Sequence, residues 1–161
     1  IDNAFTNSGM NDLFIAELLN ADEMGVKKLL MHKNSTISLS DAGAHLSLLC
    51  DAGFGLEFLG RWSRDLDIIS LEDAVFKLSG KQAEICRIPK RGKLLPGYYA
   101  DMLLFDHKEV GVTKTFRVND LPGGSSRLTV KPLGIKGIWV NGINYLQDRK
   151  SNGRLIRSYL P

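Results

Sequence analysis

Residues 36–51 read TISLSDAGAHLSLLCD. The β-branched and apolar run 36–40 predicts a short buried strand, entered from a helix and left through a loop into another helix. A strand in that setting is a piece of an α/β layer. It stops on an acid, Asp41, in a stretch that offers the acid no charge partner. In α/β folds the loops at the C-terminal ends of the strands face a common crevice and carry the chemistry. Asp41 therefore admits two readings: a cap for the following turn, as Asp often is, or a metal ligand or general base. Gly43 lets the backbone come close to a bound group, and His45 lies near the same site. One Asp and one His do not complete a zinc site, which needs a fuller ligand set.

Upstream of this stretch, Asn20 and Glu23 form a capping-box pattern, and Val26, Leu29 and Leu30 follow at helical spacing. A helix is expected over residues 21–32, closing on Lys and His, which suit the negative end of its dipole. Downstream, GLEFLGRWSRDL reads as an amphipathic helix carrying Leu56, Leu59 and Trp62. Ser70 caps a further helix, with Asp73 at the capping-box position and Leu71, Ala74, Val75 and Leu78 on one face. A short helix over residues 82–86 follows. From Pro89 onward Gly/Pro turns separate short apolar runs, among them 102–105, which ends at Asp106. The dipeptide Asn141-Gly142, between 138–140 and 143–146, predicts a hairpin with a type I′ turn. LPGGSS is a loop and not a phosphate cradle, because no helix start or Lys-Ser/Thr follows it. The chain is helical first and β second, with a boundary expected between residues 88 and 89.

Composition bounds the function. With 43% hydrophobic and 24% charged residues, the 161-residue chain has the make-up of an ordinary globular protein. Its 21 Lys and Arg against 18 Asp and Glu are scattered, which argues against a nucleic-acid partner. No apolar run is long enough to span a membrane, and no leader pattern opens the chain. Cys50 and Cys86 match no metal or redox spacing, so reduced thiols and a cytoplasmic location are expected. The chain opens at Ile1, inside a polar stretch, as a fragment of a longer protein would.

Three segments carry a resemblance: SDAGAHLSLLCDAGF, then LLPGYYADMLLFD within a Gly-x-Leu-x-x-Gly-x-x-Ala-Asp pattern ending at Asp101, then GIKGIWVNGI. In that order they resemble the C-terminal part of a metal-dependent amidohydrolase, most similar to the N-acyl-D-amino-acid deacylase (D-aminoacylase) branch. The resemblance implies an α/β fold: residues 1–88 are the C-terminal part of a (β/α)8 barrel, its last strand at 36–40 and its closing helices. Residues 89–161 supply strands of a small β-sandwich. It implies a hydrolase of linear, non-peptide C–N amide bonds acting on N-acyl-D-amino acids, with a divalent metal, Zn2+. Asp41 is then the catalytic acid and base and a metal ligand, while Ser40 and His45 touch the substrate or the groups around the metal.

The family's His-x-His pair and its other ligands have no match in this chain, so no metal sphere is expected to be complete here. A barrel averages about 250 residues, about 30 per βα unit, and only the last unit is present. The partners implied are a small N-acyl amino acid or related amide, and either a homo-oligomer or the missing N-terminal part of the same protein. The rival reading is a non-catalytic α+β interaction module, or an amidohydrolase relic without a metal site. Cys50 is expected as a buried small side chain, Tyr98 and Tyr99 as packing residues, and His32 as a surface residue at a helix end. Asp101 is expected to hold its own turn through backbone N–H groups. The amidohydrolase reading predicts that the reading frame upstream of Ile1 encodes a His-x-His strand. Sequencing that region, or weighing the intact polypeptide, checks it, and a stop codon directly upstream would favour the rival.

Overall fold

The protein is represented by a computed structural model that describes residues 21–43, 52–149, 152–157 and 159. Two compact units are present, Ile1–Ser35 and Thr36–Pro161. In the first unit, helix α1 spans Glu23–Met31. Its cap is Asp22, whose carboxylate accepts from the N–H groups of Met24 and Gly25. The expected cap Asn20 lies outside the described residues, and Asp22 stands where the first free N–H groups point. His32 ends the helix on the surface, as expected, and its Nδ1 accepts from Asn34 N–H at 3.2 Å.

The second unit starts with residues 36–43. The expected buried strand at 36–40 is not formed: the backbone has no ladder partner among the described residues, and Leu39 is 81% exposed. A strand is a shared structure, and its hydrogen bonds need a neighbour. The helical layer follows. Helix α2, Phe54–Glu57, continues as a π-helical segment, Phe58–Asp65. Helix α3, Leu71–Val75, continues as a second π-helical segment, Phe76–Gly80, and runs into α4, Lys81–Ile85. Ser70 caps α3 as expected, accepting from Asp73 N–H at 3.1 Å. Phe58, Leu59, Ile69, Ala74 and Ala83 form the buried apolar side of this layer. Lys77 is buried with them, and loss of hydration holds its ammonium pKa below the usual lysine value.

Strands follow: β1 Met102–Phe105, β2 Gly111–Val112, β3 Phe116–Val118, β4 Arg127–Thr129, β5 Pro132–Leu133, β6 Ile135–Val140 and β7 Ile143–Asn144. The order β1-β6-β7 makes one antiparallel sheet, with Met102 opposite Trp139 and Leu103 opposite Ile138. β2 pairs with β5, and β3 with β4. Arg127 reaches Asp120 with two nitrogens at 2.7 Å, and this hydrogen bonding holds the Asp120 carboxyl below its usual range. The expected second hairpin strand stops early. Asn144 accepts from Leu146 and Gln147 N–H and so starts helix α5, Tyr145–Asp148.

Arg64, on the first π-helical segment, fastens the helical layer to the strands. Its Nη1 donates to the carbonyls of Val110, at 2.7 Å, and His107, at 3.3 Å. Val110 is fully buried. Gly60 makes the approach possible, since a Cβ there would collide with the Val110 carbonyl.

The motif around Asp101 and the Asn141-Gly142 turn meet. Asn141 (φ 48°) and Gly142 (φ 82°) have the left-handed backbone of the expected type I′ turn. Asp101 accepts from Asn141 N–H at 2.8 Å, and Ala100 O from Gly142 N–H at 2.9 Å. Asp101 thus holds the hairpin turn, a different turn from the one expected. Arg91 pairs with Asp101, donates to Asn141 Oδ1 at 2.9 Å and lies 4.4 Å from the centre of the Tyr99 ring. Tyr98 and Tyr99 are both exposed, so the packing role expected of them is not formed; Tyr99 serves instead as a stacking platform for this cation. Asp101→Ala strands both donors at once and is expected to cost about 1–3 kcal/mol, the range for hydrogen bonds to charged groups that are partly solvated. Urea unfolding checks it; an unchanged midpoint would mean that the turn holds itself.

Candidate active site

The candidate site is the end of the 36–43 segment. Thr36 and Ile37 are half-buried, Leu39 is exposed, and the chain emerges at Asp41, which is exposed. Ser40 is half-buried, and its hydroxyl accepts from Ala42 N–H at 3.1 Å, forming a small side-chain turn around Asp41. Ser40, and not Asp41, is therefore the residue that caps the turn. Asp41 itself has φ 52°, in the left-handed region that few residues other than Gly, Asn and Asp enter. Gly43 follows with φ 97° and open space where a Cβ would sit. Two such residues within three positions make a sharp bend, with Asp41 exposed on it. Among the described residues the Asp41 carboxylate has no hydrogen bond or ion pair.

His45 and Cys50 lie outside the described residues. Among the described residues no three His, Cys, Asp or Glu side chains stand close enough together to hold a metal ion. Asp41 offers one carboxylate toward a metal, and a site takes several donors, so these residues do not by themselves fit a complete metal centre.

Sequence reasoning missed the residue that ties this segment down. Gln82, at the start of α4, donates from its side-chain nitrogen to Thr36 Oγ1 and to the carbonyl of Ile37. No local pattern announces a contact of that span. A shallow cleft of about 320 Å³ lies elsewhere, lined by Glu84, Arg87, Lys90, Lys93 and Tyr98 among others, and neither Ser40 nor Asp41 lines it. Its charges are partly paired, Lys93 with Glu84 at 2.8 Å. No described helix is long and apolar enough to cross a membrane.

Placed beside known proteins, the chain is similar to part of several deacylases. Its homologues are D-aminoacylase and the N-acyl-D-amino-acid deacylases, and its partial coverage of them fits a C-terminal portion. It is 34% identical over 96 residues to the D-aminoacylase of Alcaligenes xylosoxydans xylosoxydans, covering 60% of this chain and 18% of that protein. From the same organism, N-acyl-D-aspartate deacylase is 38% identical over 79 residues, 49% of this chain and 14% of that protein. N-acyl-D-glutamate deacylase is 30% identical over 125 residues, 75% of this chain and 23% of that protein. The chain thus spans less than a quarter of the length of these relatives. No protein-family model matches.

Among solved structures, N-acyl-D-glutamate deacylase from Bordetella bronchiseptica, complexed with zinc and a phosphonate inhibitor, superimposes with a TM-score of 0.48 at 29% identity. That match covers 62% of this chain and 19% of that one. A D-aminoacylase with a binuclear metal centre gives a TM-score of 0.45 at 31% identity over the same shares.

The left-handed backbone at Asp41 yields a test of its own. Asp41→Gly is expected to leave stability unchanged or slightly raised, whereas Asp41→Val is expected to lose about 1–2 kcal/mol, the cost of placing a β-branched residue there. Thermal or urea unfolding of the two variants checks it. Equal stabilities would mean that the bend is not held in the left-handed region.

Proposed function

We propose that the protein hydrolyses the amide bond of N-acyl-D-amino acids, with this chain as the C-terminal part of the enzyme. The observation that carries the reading is the match to D-aminoacylase, 34% identity over 96 residues. On this reading residues 36–40 are the last strand of a (β/α)8 barrel and the helices after them its closing elements. Residues 1–88 then belong to the barrel, and residues 89–161 to a β-sandwich segment. The missing ladder partner of 36–40 is supplied by the rest of the barrel. We place the enzyme in the cytoplasm, in keeping with cysteines that have no disulfide or metal spacing, and take the partner of this chain to be either a second copy or the N-terminal part of the same protein.

The chemistry assigned to this chain belongs to Asp41. Hydrolysis adds water to the acyl carbon, breaks the C–N bond and delivers a proton to the departing amine. Asp41 removes a proton from the attacking water and returns one to the amine nitrogen, so that free amino acid and carboxylate leave. The Asp41 carboxylate stands at the exposed tip of a bend with no partner of its own among the described residues, so no neighbour there competes with water or substrate for it. Ser40 holds the bend that presents it, and His45 belongs to the substrate's surroundings. A divalent metal, zinc, would be held chiefly by ligands outside this chain, with Asp41 adding one oxygen. Bound there, such an ion would supply a lower proton affinity for its water and polarisation of the acyl oxygen.

Asp41→Asn keeps the left-handed backbone, since Asn tolerates it as Asp does. In the full-length enzyme it is expected to lower hydrolysis of an N-acyl-D-amino acid by at least about 100-fold, the lower end of general acid–base contributions. The comparison is made against wild type at equal metal occupancy, with the chelated enzyme as the inactive reference. Near-normal turnover in Asp41→Asn would overturn the role of Asp41. Absence of any amide hydrolysis by wild type across N-acyl-D-amino acids would leave the non-catalytic relic.

A further inference from the structure

The segment that ends on Asp41 has no strand beside it among the described residues, yet its start is half-buried and held. What holds it is one side chain. Gln82 Nε2 is in hydrogen-bond contact with Thr36 Oγ1 and with the carbonyl oxygen of Ile37, and lies 3.3 Å from the carbonyl of Lys77. Two of these acceptors are carbonyls and can only accept, so the nitrogen end of the carboxamide must face the segment. A carboxamide has two N–H groups, which matches the two close acceptors.

The anchor at the other end is firm. Gln82 sits between Gly80 and Ala83, both buried, and Gly80 packs under the Phe76 ring with the Gly92 carbonyl beside it. Along the segment, Ile37 is followed after three residues by Asp41, a span of at most about 13 Å of extended chain. The contact therefore sets the height of that segment against the helical layer, and through it the position of the acid at its tip.

We propose that Gln82 is a positioning residue for Asp41: its carboxamide fastens the backbone that delivers the acid to the substrate. This rests on the reading of Asp41 as the group that moves the proton. Gln82 touches no reacting atom. Its contribution is the geometry of a neighbour, and a displacement of about 1 Å in such a group can cost on the order of 100-fold in rate.

The experiment uses the full-length protein with Gln82→Glu and Gln82→Lys. The two changes are opposite in one respect: at neutral pH Glu has no donor and repels the Ile37 carbonyl, while Lys keeps an N–H donor within reach. Hydrogen exchange read by mass spectrometry is expected to quicken in peptides covering residues 36–41 of Gln82→Glu and to stay near wild type in Gln82→Lys. Peptides covering residues 71–85 should be unchanged in both. At equal metal content, kcat for an N-acyl-D-amino acid is expected to fall about 10- to 100-fold in Gln82→Glu with KM little moved, and far less in Gln82→Lys.

Unchanged exchange at 36–41 in Gln82→Glu would overturn the fastening role. Faster exchange with full turnover would overturn the positioning role. If Gln82→Glu does not fold, a Gln82→Leu variant with exchange at 36–41 equal to wild type would be just as decisive against it. The exchange result is independent of what Asp41 does, so failure of the proposed function shows separately, in Asp41→Asn.

Discussion

The carboxylate of Asp101 is the point on which the β half of the chain is hung. One of its oxygens takes the N–H of Asn141 and the other the guanidinium of Arg91. A type I′ turn points backbone N–H groups outward, and a short hairpin has little other enthalpy with which to fix them. Arg91 extends the arrangement: one planar cation serves Asp101, the Asn141 side chain and the face of Tyr99 together. Arg154 approaches the same ring, at 5.7 Å from its centre. The stretch after α4 that carries Arg91 is thereby bound to the β6–β7 turn of the β1-β6-β7 sheet. Apolar burial alone would not do this, since Met102, Leu103 and Leu104 of β1 are all classed as exposed.

The helical layer is joined to the strands by the same kind of device. Arg64 donates to two carbonyls on the β side, and Gly60 removes the side chain that would keep the backbones apart. Gln82 repeats the pattern for the 36–43 segment. In each place a long polar side chain on a helix satisfies backbone groups of a segment that lacks a regular ladder there. Carbonyls taken out of water need donors, and Arg64 and Gln82 supply them at these two places.

How much of this could be read in the sequence follows from the range of each interaction. Ser70 with Asp73 and Asn141 with Gly142 were legible because the signal and its partner lie within one turn. Asp101 was legible as a turn-holding acid, but its true partner is far along the chain, and nothing local names it. Ile143 and Asn144 are strand as read, but Tyr145 and Leu146 were read as strand because they are apolar; the Asn144 side chain captures two N–H groups and converts those residues to helix. The run 36–40 has strand composition without a described strand to pair with, which is the case where pattern cannot determine structure. At the site itself, Ser40 and Asp41 stood out in the sequence, Gln82 did not, and His45 lies outside the described residues.

The two π-helical segments bear on how this chain is to be lined up with its kin. A π turn closes its hydrogen bond over one more residue than an α turn, as Leu66 N–H to Arg61 O does here. Everything after such a turn is rotated relative to an α-helix of the same sequence, so the side chains change the direction in which they face. A relative that stays α-helical through 58–65 or 76–80 would match this chain only with a one-residue gap placed there. Positional correspondences drawn across those helices without the gap would pair residues that point about 100° apart.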